Sequence, residues 1–235
     1  MKLYKFSFIT PEHSPENIPY LLELYDSIIK QTYKKWEWVI LTNNKCTPEH
    51  LPEKIRNDSR VKVFHWHGET ASIGKLKLDA FNLGTGDILV EADHDDMFTP
   101  DCLEELNKAY QDESVGFVYS DNAAYKMDGD FIPFMPENGW TYRTHKWKDK
   151  ELIAMNSFEP TSHSLSYIWF APDHVRTWRT SVYKEIGGHN PELEICDDHE
   201  LCIRTYLKTK MIHIPKVLYI YRYTGFNTSV NTRNA

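Results

Sequence analysis

The sequence predicts an α/β fold, with a mostly parallel central sheet and helices on both faces. Three observations predict it. From Tyr4 to Ser120, apolar runs of strand length alternate with stretches of helical periodicity. The strand runs are nearly all apolar rather than alternating, as strands buried on both faces are. One of them, Ile88-Leu89-Val90-Glu91-Ala92, runs directly into Asp93-His94-Asp95-Asp96, and open α/β sheets place ligands at the C-terminal ends of their strands.

Taken in order, Tyr4 to Thr10 reads as the first strand, ended by Pro11 and the polar loop Glu12-His13-Ser14-Pro15. Asn17 caps a helix with Pro19 in its first turn, and Leu21, Leu24, Tyr25 and Ile28 recur at helical spacing up to Gln31. Trp36 to Leu41 is a second strand, leading into Thr42-Asn43-Asn44. Pro48 to Asn57 is a short helix, Val61 to His65 a third strand, and Ile73 to Leu83 a helix stopped by Gly84 and Gly86. After the acidic strand, Thr99 caps a helix running from Pro100 to Gln111, with Asp101 in its first turn, and Val115 to Ser120 is a strand. Beyond Ser120 the texture changes. Ala123 to Phe134 reads as a hairpin turning at Met127-Asp128-Gly129-Asp130, and residues 135–168 are polar, aromatic and poorly periodic. A helix from Thr180 to Ile186 closes at Gly187-Gly188, an acidic helix start follows at Asp197-Asp198-His199-Glu200, and Lys210–Ile214 and Val217–Arg222 are strands. The expectation is one domain over residues 1–235 carrying inserted substrate-binding structure.

Composition narrows the function classes. The chain has 235 residues, 41% hydrophobic and 26% charged, which is ordinary for a globular protein. A net charge of −7 argues against general nucleic-acid binding. No apolar run reaches membrane-spanning length, and Met1 to Phe6 has no signal-peptide core. Cys46, Cys102, Cys196 and Cys202 make neither metal-site spacing nor a disulfide framework, so a reduced, cytoplasmic location is expected.

The chemistry concentrates at two acidic stretches. Along an extended chain Asp93 and Asp95 share a face while His94 points away, and two convergent carboxylates suit a hard divalent cation. The plain alternative is a solvated acidic turn capping the next helix. Asp197, Asp198 and Glu200 sit at a helix start, where the dipole favours ionised carboxylates; they serve as a catalytic base or simply as capping acids. His65 and His67 share a strand face without an evident third ligand. Trp140, Trp147, Trp169 and Trp178 can form a stacking platform for a ligand or pack in a core, with Trp140 and Trp147 the better platforms.

Six motifs in order resemble the family 2 glycosyltransferases of GT-A fold: Ser7-Phe8-Ile9-Thr10-Pro11; Ser27 to Tyr33 with Trp36-Glu37; Asp93-His94-Asp95-Asp96 with Thr99-Pro100; Val118-Tyr119-Ser120-Asp121; Gly187-Gly188 with Asp197 to Leu201; and His213-Ile214-Pro215 through Arg222. The resemblance implies an inverting transferase that uses a nucleoside-diphosphate sugar, a UDP-sugar by preference, and a glycan or other hydroxyl acceptor. It also implies Mn²⁺ or Mg²⁺ held by Asp95 with Asp93, and Asp198 as base with Asp197 as the second choice. Thr10, Pro11, His13 and Asn43 are implied around the nucleotide base, Lys77 near the diphosphate, and His174 and Arg176 along the donor pocket. Residues 1–120 then form the donor half and 121–235 the acceptor half. The sequence departs from the family pattern at Asn43, Ser72, Leu78 and Thr224. A sugar-phosphate nucleotidyltransferase is a competing reading, but Thr10-Pro11-Glu12-His13-Ser14 has no phosphate-binding glycine. A carbohydrate-binding relative without turnover is another.

Overall fold

In a computed structural model, residues 1–68, 71–126, 138–168 and 171–224 are described. Strand β1 (Phe6–Glu12) is buried along nearly its whole length, pairing in parallel with β2 (Trp36–Thr42) on one side and β4 (Ile88–Glu91) on the other. Strand β3 (Val61–His65) extends the parallel set beyond β2. The first strand thus passes through Pro11 instead of ending there. A proline is tolerated at that point because β4 pairs only with Phe6 to Ile9, so past Ile9 one edge of β1 makes no ladder.

Helices cover both faces, and the core divides accordingly. Against one face, Phe6, Phe8, Trp38, Ile40 and Val90 meet Leu21, Leu24 and Ile28 of α1 (Ile18–Ile29) and, beyond the short α2 (Glu53–Arg56), Leu103 and Leu106 of the amphipathic α4 (Cys102–Ala109). Against the other, Ile9, Val39, Leu41 and Leu89 meet Ala80 and Phe81 of α3 (Ile73–Asn82). Each such side chain removed from water contributes about 1.5–3 kcal/mol.

Among the described residues, the second half completes a ten-stranded sheet whose continuous path is β3-β2-β1-β4-β9-β6-β10-β5. Strand β5 is Met97–Phe98, β6 Val115–Lys126, β9 Arg176–Arg179 and β10 Lys210–Tyr223. Strand β9 lies antiparallel between β4 and β6, and β5 is antiparallel to β10. The two expected C-terminal strands are one, with irregular pairing between Ile214 and Val217 where Pro215 cannot donate. Residues 141–156 are ordered as β7 (Thr141–Trp147) and β8 (Lys150–Asn156), a hairpin joined to β6 through Asn122 to Ala124. The predicted hairpin at 123–134 supplies only its first arm, as part of β6; its turn and second arm lie outside the described residues. Helices α5 (Ser162–Tyr167), α6 (Thr180–Glu185) and α7 (Asp197–Lys208) follow in the second half. Gly187 and Gly188, at φ +85° and +68°, close α6 in a conformation that other residues adopt only with strain. Among the described residues no helix is long and apolar enough to cross a membrane.

Candidate active site

Strand β4 ends in a carboxylate inside the protein. Glu91 is 1% exposed, accepting from Arg176 Nε at 2.6 Å and Lys77 Nζ at 2.8 Å. A buried ion is tolerable only when paired in this way. The same two cations hold the first turn of α7. Arg176 Nη1 donates to Asp198 Oδ2 at 2.7 Å, and Lys77 Nζ stands 3.3 Å from Asp197 Oδ2. Burial works against all these charges. The opposite charges nevertheless hold Glu91 and Asp198 well below the usual carboxylate range and Lys77 and Arg176 well above theirs. For Asp197 burial prevails over Lys77, and its pKa is raised.

Local structure explains the placement. Cys196, at φ 58°, turns the chain into α7, so that Asp197 and Asp198 occupy its first turn. Lys77 reaches them because α3 abuts the preceding loop: Gly74 N donates to Leu193 O at 3.0 Å. A Cβ at Gly74 would fall 2.0 Å from Asn190 O, so only glycine allows this approach. Ser72 caps α3 by accepting from Lys75 N.

The cluster continues to the Asp93–Asp96 turn through His174. Its ring stacks on Tyr219 with centroids 4.7 Å apart; Nε2 lies 3.0 Å from Arg176 Nη2 and 3.5 Å from Asp93 Oδ2. Burial and then Arg176 push its pKa down to about 4, against the pull of Asp93, leaving the ring neutral near pH 7. Asp96 is buried, accepting from Arg222 N at 2.7 Å, and Arg222 Nε donates to Asp95 O at 2.6 Å. Strand geometry ends at Glu91: Asp96 N closes a turn onto Asp93 O, so strand alternation does not govern the directions of Asp93, His94 and Asp95. The His94 ring instead meets His13 edge-to-face at 5.4 Å.

At the end of β1, Thr10 is committed to the scaffold, donating to Ala92 O and accepting from Trp38 Nε1. Pro11 is partly exposed and His13 exposed. Asn43 donates from Nδ2 to Glu12 O at 3.1 Å, which fixes the amide's orientation and leaves Oδ1 buried with no partner among the described residues. Lys75 pairs with Asp79 one turn on and is half-exposed, a surface role. His65 and His67 meet each other at 4.9 Å, and no third ligand joins them among the described residues. Trp140, expected to be an open platform, is 3% exposed and packs on Phe158. Trp178 is core, Trp147 is partly buried, and Trp169 lies outside the described residues.

Two participants escape a reading of the sequence. Glu91 shows itself there only as a charge within an apolar run. His189, fully buried, carries no signal at all; its Nδ1 is 2.8 Å from Tyr183 Oη and its Nε2 3.7 Å from Asp197.

Residues 8–169 match the model of the family described as Glycosyl transferase family 2. The chain belongs to glycosyl transferase family 2. Among its relatives, the poly(ribitol-phosphate) beta-N-acetylglucosaminyltransferase TarS of Staphylococcus aureus is 24% identical over 216 residues, covering 90% of this chain and 34% of TarS. The glycosyltransferase GlyA of Streptococcus pneumoniae is 30% identical over 226 residues, covering 93% of this chain and 30% of GlyA. The chain thus spans about a third of these relatives. In structure, S. aureus TarS 1-349 in complex with UDP-GlcNAc gives a TM-score of 0.68 at 17% identity, covering 93% of this chain and 58% of that one. The mannosyltransferase PcManGT from Pyrobaculum calidifontis, in complex with GDP-Man and Mn2+, gives 0.63 at 17% identity, covering 94% and 57%. The architecture of this family 2 chain is the GT-A fold.

Proposed function

We propose that this family 2 glycosyltransferase moves a sugar from a nucleoside-diphosphate sugar, uridine-linked by preference, to a hydroxyl of a saccharide or other acceptor, with inversion. One observation carries the reading. A continuous line of contacts, Asp93–His174–Arg176–Asp198, joins the acidic end of β4 to the first turn of α7. Glycosyl transfer needs charge stabilisation at the departing diphosphate and a base at the incoming alcohol, and this line spans both.

Asp198 is the base: Arg176 keeps it ionised, and a third of its side chain is exposed. As the acceptor oxygen bonds to the anomeric carbon and the carbon–oxygen bond to the diphosphate breaks, the hydroxyl proton passes to this carboxylate. A single displacement of that kind inverts the centre. Asp197, buried against Lys77, is the second choice. The carboxylates of Asp93 and Asp95, with the neutral His174 imidazole beside Asp93, fit Mn²⁺ or Mg²⁺; the bound ion supplies stabilisation of the leaving group's charge. Asn43 Oδ1, unpartnered among the described residues, suits the N3–H of a uracil, and Thr10, Pro11 and His13 at the adjoining end of β1 are the other residues assigned to the nucleotide base. Residues 1–120 supply most of the donor side and 121–235 the base and acceptor side, with His174 and Arg176 crossing between them. The four free thiols support action in the reducing cytoplasm.

The test is nucleotide release over a panel of donors with Mn²⁺ or Mg²⁺. Chelator or Asp95→Ala abolishes release. Asp198→Asn lowers transfer about 10²–10⁴-fold while donor binding by calorimetry persists. Failure to bind any sugar nucleotide would sink the proposal.

A further inference from the structure

We propose that Glu12, His13 and His94 form a transition-metal site of the zinc class, with a donor set distinct from the Asp93 and Asp95 carboxylates and sharing the His13 ring with the proposed nucleotide site. One carboxylate oxygen of Glu12 and one ring nitrogen from each histidine lie within 4.8 Å of one another. Two imidazoles and one carboxylate are a donor set that zinc takes with a fourth position left open, whereas carboxylates alone suit magnesium or manganese.

The observation that points to a ligand is the state of Glu12. Its side chain is wholly buried. Oε1 accepts from Ser14 N at 2.8 Å and Asn17 Nδ2 at 2.9 Å, but Oε2 is buried and has no hydrogen-bond partner among the described residues. No lysine or arginine pairs with Glu12 among those residues, in contrast to Glu91 in the same sheet. A buried anion with a bare oxygen lacks a positive partner, and the two imidazoles beside it are the groups that bring a metal ion. The bonds to Oε1 orient the carboxylate as the outer partners of a metal ligand do.

The three ligands stand on fixed backbone. Glu12 is the last residue of β1, opposite Thr42 of β2, and His13 follows it. His94 sits in the turn after β4, which Arg222 grips through Asp95 O and Asp96. Ligands about 2 Å from a tetrahedral zinc ion stand roughly 3.3 Å apart. The donor atoms, within 4.8 Å of one another, therefore draw in on binding, and the exposed His13 ring and the partly exposed His94 ring are the ones able to turn.

The experiment uses the full chain stripped of metal by chelator, with Zn²⁺ followed by calorimetry and Co²⁺ by visible absorption. One Co²⁺ should bind with the intense spectrum of a tetrahedral, imidazole-ligated ion, both in the parent chain and in a doubly substituted Asp93→Asn, Asp95→Asn chain. His94→Ala and His13→Ala should each weaken Zn²⁺ binding by about 10-fold or more, at least the loss that outer-shell changes already cause, while circular dichroism stays unchanged. Glu12→Gln should act likewise; if it fails to fold, the two exposed-side histidine variants decide. Zn²⁺ affinity unchanged by both histidine substitutions would overturn the site. So would loss of the cobalt spectrum in the Asp93, Asp95 double variant. Absence of glycosyl transfer by the parent chain would leave these readouts in place, so the two proposals fail separately.

Discussion

Two charged clusters flank the acidic turn after β4, and they are built on opposite plans. Between α3, β9 and α7, each of Glu91, Asp197 and Asp198 has a cation within 3.3 Å, supplied by Lys77 or Arg176. At the end of β1, Glu12 is equally buried but is met by an amide, a backbone N–H and two imidazoles. The first cluster carries its own counter-ions, and the pairing that buries Glu91 also holds the partly exposed Asp198 in place. The second waits for charge from outside. Glu91, with both cations in place, is scaffold; Glu12, with none among the described residues, marks where something else binds.

The largest effect should come from breaking the matched cluster. Arg176→Met leaves Glu91 with Lys77 alone and frees Asp198, and loss of one partner from a buried ion pair costs about 3–5 kcal/mol. Urea unfolding would show it; an unchanged midpoint would mean that Glu91 is not held as described. Next in size is the contrast between the two acids. Glu91→Gln should destabilise the metal-free protein markedly. Glu12→Gln should be near neutral, since Oε1 stays an acceptor and the bare charge is removed. Equal losses for the two would erase the comparison.

The matched cluster also carries a pH signature. Burial first, then neighbouring cations, push His174 down to about 4 and His189 down to about 3, from the ordinary value of 6.5. In that interval the unfolded chain binds more protons than the folded one, so stability falls as pH drops from 6.5 towards 4 and is insensitive to these groups above it. Unfolding midpoints measured from pH 7.5 to pH 4.5 should decline, and His189→Gln should flatten the slope. The smallest effect sharpens the contrast between two lysines on one helix. Lys75→Ala breaks a half-exposed pair with Asp79 and should shift stability by only about 0.5 kcal/mol. Lys77→Ala, two residues on, should cost several times that.

The parallel half of the sheet was legible because its strands are apolar on both faces and its helices keep a single stripe. Asp93, Asp95 and Asp198 were legible as acids at a strand end and a helix start. What escaped was short or two-faced. Met97–Phe98 and Arg176–Arg179 are too brief to show a period, and β9 is fixed by tertiary pairing with Leu89 and Phe117. The run Thr141-Tyr142-Arg143-Thr144-His145-Lys146-Trp147 is polar on both sides, so the hairpin it forms with β8 leaves no apolar alternation to read. Lys77 and Lys75 look alike in sequence; only the close approach at Gly74 decides which of them is buried.

The placement of β9 carries a consequence for how the site comes into being. Trp178 sits beside Leu89, so the strand that brings Arg176 to Glu91 arrives after a long excursion of the chain. Such distant pairings form slowly, because the intervening loop must first be closed. During synthesis β4 therefore emerges before β9, and the guanidinium partner of Glu91 follows 85 residues later. A truncation between the two would leave a sheet edge whose buried acid keeps Lys77 as its single cation, so the cleft is completed only when β9 docks.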